Sequence, residues 1–352
     1  MIDQIHPLFG VEEVNAVSDY MLSGAWLTEH KETELFEKKI CEFLKVDYCI
    51  AVPNGTIALM LALDAHGIDG DSIVIVPALT MVATANSAMY LGAEVKACDV
   101  NDHGCMDYNC LENIIDDDIS AVVHVSLNGR SKDIEKIASI CEDRDIPLIE
   151  DACQSLGSKN NSMYLGTIGD VGCFSLSPQK IISTGQGGLI VTNNKEIYDR
   201  IKIIKDFGRI APGSNYHDEY GINAKYTDLQ AVIGLEQLRK LPYRIDRKKE
   251  IYNLYRKHLG EMVIENNEEV VPWMVDIISS KRNLIRAKLI SKGIGTRLNY
   301  LTLDKHKYLN TLDSFFEANY LSNNILWLPS SIDLTNKEIE EICREILRCP
   351  GI

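Results

Sequence analysis

Ala121-Val122-Val123-His124-Val125, then a helix-like stretch over 133–142, then Pro147-Leu148-Ile149-Glu150: this succession decides the fold. Two short, near-continuous apolar runs separated by a helix read as strands of a parallel sheet. The alternation extends outward on both sides. Residues 72–76 (SIVIV) and 94–98 (EVKAC) read as strands before it, and 172–176 (GCFSL) and 188–192 (GLIVT) after it. Helical patterns fall at 56–65 and 195–206. Strands that are apolar throughout are covered on both faces, so a large α/β domain with a mostly parallel, mixed sheet sandwiched by helices is expected. In such sheets ligands gather beyond the carboxyl ends of the strands, where loops lead into helices.

From about Tyr226 the pattern turns helical, over 228–241 and 246–258. A smaller unit follows: a strand near 273–278, a helix near 282–292 and a terminal helix near 336–347, with a joint at 266–269. The expected division is a large domain over 1–240, then a linking helix and a small α+β domain over 241–352. The sequence contains neither an internal repeat nor a low-complexity tract.

The chain has 352 residues, 45% hydrophobic and 25% charged, ordinary proportions for a globular protein. Its formal net charge of -15 argues against general affinity for nucleic acid or anionic membranes. A locally positive pocket for a small anion stays compatible with that total. The ten cysteines form no CxxC pair, so reduced thiols are expected, with neither a disulfide framework nor a metal site. The opening MIDQIHPLFGVEEV lacks the basic and apolar regions of a signal peptide, and no apolar run approaches the roughly 20 residues of a membrane span. A soluble, cytoplasmic protein is expected.

Four loops carry the candidate chemistry. In Pro53-Asn54-Gly55-Thr56, directly before a helix, free N–H groups and a hydroxyl suit an anion, although Thr56 serves equally well as an N-cap. Glu150-Asp151-Ala152-Cys153-Gln154 ends an apolar strand. An acid there is either a capping residue or a carboxylate that keeps a pyridine nitrogen protonated, with Gln154 in reach of a phenolic oxygen on the same ring. Phe174-Ser175-Leu176-Ser177-Pro178-Gln179-Lys180 leads into Ser183-Thr184-Gly185-Gln186-Gly187-Gly188. A lysine in such a turn is poorly explained as a solvated charge, whereas a Schiff-base lysine needs a partly desolvated site. Ser175 suits a phosphate, and the glycines let backbone pass close to a ligand. The TGQGG run precedes a strand and lacks GxGxxG spacing, which rules out a dinucleotide loop. The fourth loop, His217 to Tyr226, is by itself a polar loop before a helix.

Taken in this order, the four loops resemble the DegT/DnrJ/EryC1/StrS family of sugar aminotransferases dependent on pyridoxal 5'-phosphate (PLP). The likeness runs from Pro7-Leu8-Phe9-Gly10 and Ser23-Gly24-Ala25-Trp26-Leu27-Thr28 to the C-terminal helix. It implies the fold-type I aminotransferase architecture and a homodimer with shared active sites. By this resemblance Lys180 is the cofactor lysine, Asp151 the acid facing the pyridine nitrogen and Gln154 the contact to the ring hydroxyl. Gly55, Thr56 and Ser175 match the phosphate cup, and Asn223 the phosphate contact supplied by the other subunit. His217, Arg297 and Trp26 fall where the family binds substrate; for Arg297 a solvated arginine at a strand start is an equal reading. Two departures stand out. Met81 occupies the place of an aromatic residue that stacks on the cofactor, and Tyr300-Leu301-Thr302-Leu303-Asp304 replaces a Tyr-Pro-Pro-Leu/Ile-His pattern.

The activity implied is transfer of an amino group from glutamate to a nucleotide-linked keto-sugar, with a 4-keto-6-deoxyhexose (perosamine or viosamine type) as the favoured acceptor. The same family includes a sugar dehydratase branch in which histidine replaces the lysine; Lys180 speaks against it. Two further readings compete with the sugar aminotransferase: a non-catalytic regulatory or binding homologue, and an amino-acid aminotransferase of the same fold.

Overall fold

The computed structural model describes residues 1–211, 213–309 and 314–352. Strands β1 (Tyr48–Val52), β2 (Ile73–Pro77), β3 (Glu94–Cys98), β4 (Ile119–Val125) and β5 (Leu148–Asp151) come first along the chain. A two-stranded hairpin, β6 (Lys159–Asn160) with β7 (Met163–Tyr164), precedes β8 (Val171–Ser175) and β9 (Gly188–Thr192). Seven of these strands form one sheet in the order β1-β9-β8-β5-β4-β2-β3. From β8 to β3 every pair is parallel, and only β9 runs against its neighbours. The expected mixed, mostly parallel sheet is present, with strand ends within about two residues of those read from the sequence.

Two-sided burial explains why the inner strands are nearly apolar throughout. Ile75, Val122 and Leu148 pack on one face against Ile137 and Cys141 of the helix Ile134–Glu142. Val74, Val123 and Ile149 face the other way, toward Ala58, Leu61 and Ala62 of the helix Gly55–Ala65. Successive residues thus feed two separate cores, as a period of two requires.

β1 was absent from the sequence-based strands. It is an edge strand, and two side chains occupy its outer side. The Ala51 amide donates to Glu37 Oε1 (2.7 Å), and Lys205 Nζ donates to the Ala51 carbonyl (2.9 Å). Lys205 is buried and also pairs with Glu29 Oε2 at 2.7 Å.

A second sheet, ordered β10-β12-β11, comprises β10 (Val275–Ile278), β11 (Arg297–Leu298) and β12 (Ile325–Leu328), all antiparallel. The helices Leu241–Leu259, Arg282–Ser291 and Asn336–Leu347 pack over it through Ile251, Tyr255, Ile285, Leu289, Ile339 and Ile342. The first of these helices begins five residues before the 246 expected, because Pro242 fits its opening turn. The start of the chain lies against this unit: Ile2 N donates to Gly293 O, and Gly295 N donates back to Ile2 O.

Two buried links join the sheets. Beyond β4, Arg130 donates both terminal nitrogens to the Asp276 carboxylate of β10, at 2.9 and 2.7 Å. Asn128, in the left-handed region at φ 56°, donates from Nδ2 to Met274 O and accepts from Met274 N. Among the described residues no helix is long and apolar enough to cross a membrane. All ten cysteines are unpaired, and the described residues hold no cluster suited to a metal ion.

Candidate active site

The carboxyl ends of β8, β5, β4, β2 and β1 open on a common side, and a cavity of about 580 Å³ lies there. Asp151, the last residue of β5, lines it and is 5% exposed. Its carboxylate is held by a hydroxyl and an amide: Thr84 Oγ1 donates to Oδ2 (2.7 Å) and Cys153 N to Oδ1 (3.2 Å). Thr84 is in turn hydrogen-bonded to Thr80 (2.8 Å). With no cation among the described residues consuming it, the negative charge of Asp151 is directed into the cavity. Glu150, one residue earlier, points the other way and accepts three backbone N–H groups, from Gly166, Ile168 and Gly169. Strand alternation separates the two acids into a structural one and one that faces the cavity.

Lys180 closes a tight turn after β8, its amide donating to Ser177 O (3.0 Å). Its Nζ lies 4.1 Å from the centroid of the Trp273 ring. Removal from water lowers its pKa below the ordinary lysine value; the Asp151 carboxylate pulls it back up and the Arg297 guanidinium lowers it further. A lysine whose charge is destabilised in this way offers a nucleophilic amine.

The anion-binding features also converge. Asn54, not Thr56, caps the helix Gly55–Ala65, its Oδ1 accepting from Ile57 N at 2.9 Å. Thr56 sits inside the first turn and lines the cavity with Gly55 and Ser175. At position 55 a Cβ would fall 2.7 Å from Cys153 Sγ and 3.2 Å from Ser175 Cβ, so only glycine brings this helix start so close. The helix N-terminus adds its partial positive charge.

Gln154 accepts the Asn128 amide on Oε1 (2.8 Å) and donates from Nε2 to Tyr300 OH (3.2 Å). The Asn128 N–H fixes the orientation of this amide, so Gln154 presents a donor to the cavity. Met81 lines the cavity from the loop after β2 and is 45% exposed. Arg297, at the start of β11, is no freely solvated arginine. It donates to Gln179 Oε1 (3.2 Å), and its guanidinium stands 5.3 and 5.5 Å from the Trp327 and Tyr300 ring centroids.

Trp26, His217 and Asn223 do not line this cavity. Trp26 is 68% exposed, with its carbonyl accepting from Tyr20 OH. His217 Nδ1 lies 2.7 Å from Phe207 O, and Asn223 forms an isolated bridge with Asp206. Sequence reading missed Trp273, Gln179 and Thr84 as site residues, and quoted Tyr300 only as part of an altered segment. An apolar tryptophan at the start of an expected strand reads as core, and nothing in its spacing signals a neighbouring lysine.

A desolvated lysine, a buried carboxylate without a cation, a glycine-lined helix start and an oriented amide donor in one cavity fit a phosphorylated pyridine aldehyde.

The profile of the DegT/DnrJ/EryC1/StrS aminotransferase family matches residues 8–347. The chain is similar to a GDP-perosamine synthase of Escherichia coli O157:H7, 33% identical over 338 residues and 92% of each chain. It is similar to a UDP-4-amino-4,6-dideoxy-N-acetyl-beta-L-altrosamine transaminase of Campylobacter jejuni, 33% identical over 90% of this chain and 91% of that one. Among solved structures, a DegT DnrJ EryC1 StrS aminotransferase from Brucella abortus superposes with a TM-score of 0.91 at 28% identity, covering 96% and 95% of the two chains. An aminotransferase from Streptoalloteichus hindustanus gives 0.94 at 26% identity over 98% of both.

Proposed function

Because this chain belongs to the DegT/DnrJ/EryC1/StrS aminotransferase family and is a PLP-dependent enzyme acting on nucleotide-linked deoxyhexoses, we propose that it transfers an amino group from glutamate to a 4-keto-6-deoxyhexose nucleotide. The observation that carries this reading is the joint presence of Lys180 and Asp151 in one cavity at the ends of adjacent parallel strands. The 4-keto-6-deoxy preference draws on relatives named GDP-perosamine synthase from three organisms.

Bound PLP supplies an aldehyde that exchanges amines and a ring that takes up negative charge. The remaining chemistry belongs to the chain. Gly55, Thr56 and Ser175 bind the phosphate. Asp151, held by Thr84, would pair with the ring nitrogen and keep a proton on it. Gln154 would donate to the ring oxygen, and Met81 would lend a polarizable thioether to the ring. Lys180 Nζ takes the proton from the donor Cα and later returns one to the sugar carbon that receives the amine. Arg297 binds the anionic part of the substrate.

The homodimer belongs to the same reading. Asn223 and His217 lie in a segment with the exposed Tyr216 and Tyr220, 71% and 92% accessible, a suitable arrangement for completing the cavity of a second copy. Co-folding Lys180→Ala subunits with Asn223→Ala subunits tests this. Heterodimers should regain one intact site and about a quarter of wild-type activity in the whole mixture; absence of any recovery removes the shared site.

The reaction itself is tested by absorbance. Adding glutamate to PLP-loaded protein should convert the visible band into a near-ultraviolet one, and a 4-keto-6-deoxyhexose nucleotide should restore the first. A spectrum indifferent to glutamate overturns the donor; one restored only by keto acids overturns the sugar acceptor.

A further inference from the structure

Lys180 Nζ stands 4.1 Å from the centroid of the Trp273 indole, within the range of a cation–π contact. Several observations show that this face is held in place. Trp273 is 5% exposed, and its Nε1–H donates to the carbonyl of Gln179, the residue before Lys180, at 2.8 Å. The ring meets Trp327 of β12 edge-on at 5.4 Å. From behind, buried Lys248 donates to the Trp273 carbonyl (2.6 Å) and to Ser330 O (2.7 Å). The next residue, Met274, is gripped on both its backbone groups by Asn128. One tryptophan therefore binds the backbone of the lysine turn and faces the lysine's ammonium, from an element outside the large sheet.

From this geometry we propose that Trp273 is the positioning residue for Lys180: its π face holds the free ammonium in the cavity and favours its charged form. The inference rests on the reading of Lys180 as the cofactor lysine. That reading requires the lysine to leave the cofactor in each half-reaction and stay close enough to move a proton. An indole beside the cavity supplies a resting place that a flexible four-carbon stem would otherwise lack.

The other groups facing Lys180 are Asp151 and Cys153 from the end of β5, and Arg297 and Tyr300 from the small-sheet side. Asp151 favours the charged lysine and Arg297 opposes it. With these unchanged, loss of the π face shifts the balance toward the neutral amine.

The test uses cofactor-free protein: acetylation of Lys180 by acetic anhydride, followed by mass spectrometry as a function of pH. Trp273→Leu should move the half-labelling pH of Lys180 downward by about one unit, given the strength of a desolvated cation–π contact. Trp273→Phe, which keeps a π face but loses the hydrogen bond to Gln179, should stay within about a third of that shift from wild type. Equal shifts in the two variants, or none in either, overturn the proposal. If Trp273→Leu does not fold, the phenylalanine variant still decides: a one-unit shift there assigns the effect to the hydrogen bond and overturns the π-face role. PLP capture by wild-type protein, read from the visible band and lost in Lys180→Ala, tests the cofactor reading separately. Failure there leaves the labelling result standing as a statement about Lys180 alone.

Discussion

Replacing Lys180 by alanine is expected to lower kcat by about 10³-fold or more, because a proton transfer and the amine exchange are lost together. The geometry makes the loss specific. Among the described residues Lys180 is one of two cationic side chains lining the cavity, and the other, Arg297, is tied to Gln179 and spread over two aromatic rings. Neither residue's neighbours along the cavity wall include a second amine that could substitute. The measurement is steady-state turnover with glutamate and a keto-sugar nucleotide, alongside circular dichroism to show that the fold survives. Small amines added to the variant should restore part of the rate, since they fill the vacated space with the missing base. Turnover near wild type without them ends the assignment of Lys180.

Asp151→Asn is expected to lower kcat by about 10²- to 10³-fold, the usual cost of removing a preorganised electrostatic partner from a water-poor site. The substitution preserves shape, and the asparagine oxygen can still accept the Thr84 hydroxyl that Asp151 Oδ2 receives at 2.7 Å. What disappears is the charge, together with the second acceptor, which receives the Cys153 amide at 3.2 Å. PLP should stay bound, because the phosphate contacts proposed for Gly55, Thr56 and Ser175 would be untouched. An unchanged rate with bound cofactor would remove the role assigned to Asp151. Loss of the cofactor itself would make the residue part of its binding instead.

The inner strands of the large sheet were legible because burial on both faces leaves a nearly uninterrupted apolar run. β1 was not read as a strand although its five residues, YCIAV, are apolar. β12 escaped because it follows the helix Phe316–Asn324 with no turn residue between them, so the change of period is hidden. The cavity residues visible in the sequence, from Gly55 to Lys180, come from loops that follow strands in order. Trp273 and Tyr300 reach the same cavity from the far side of the chain, and no local pattern records that meeting. Thr84 was hidden in a helix start, where a threonine reads as ordinary. The residues of the loop alone left open which acid faces the ligand; the family resemblance pointed to Asp151, and the alternation of β5 turns Asp151 to the cavity and Glu150 away from it. Trp26, His217 and Asn223 came from the family resemblance alone, and a single chain leaves them outside the cavity.

The two side chains bound to Ala51 also bear on how this molecule can associate. A sheet ending in an unsatisfied strand invites a further strand from another molecule, and so on without limit. Here a lysine and a glutamate, donor and acceptor, act at Ala51 as a surrogate neighbour. An incoming chain would have to displace both side chains, one of them a buried lysine that is also paired with Glu29, before it could make its first ladder bond at that residue. Growth by sheet extension is thereby discouraged at Ala51, and ordered association is left to other faces, where it can close on itself and stop.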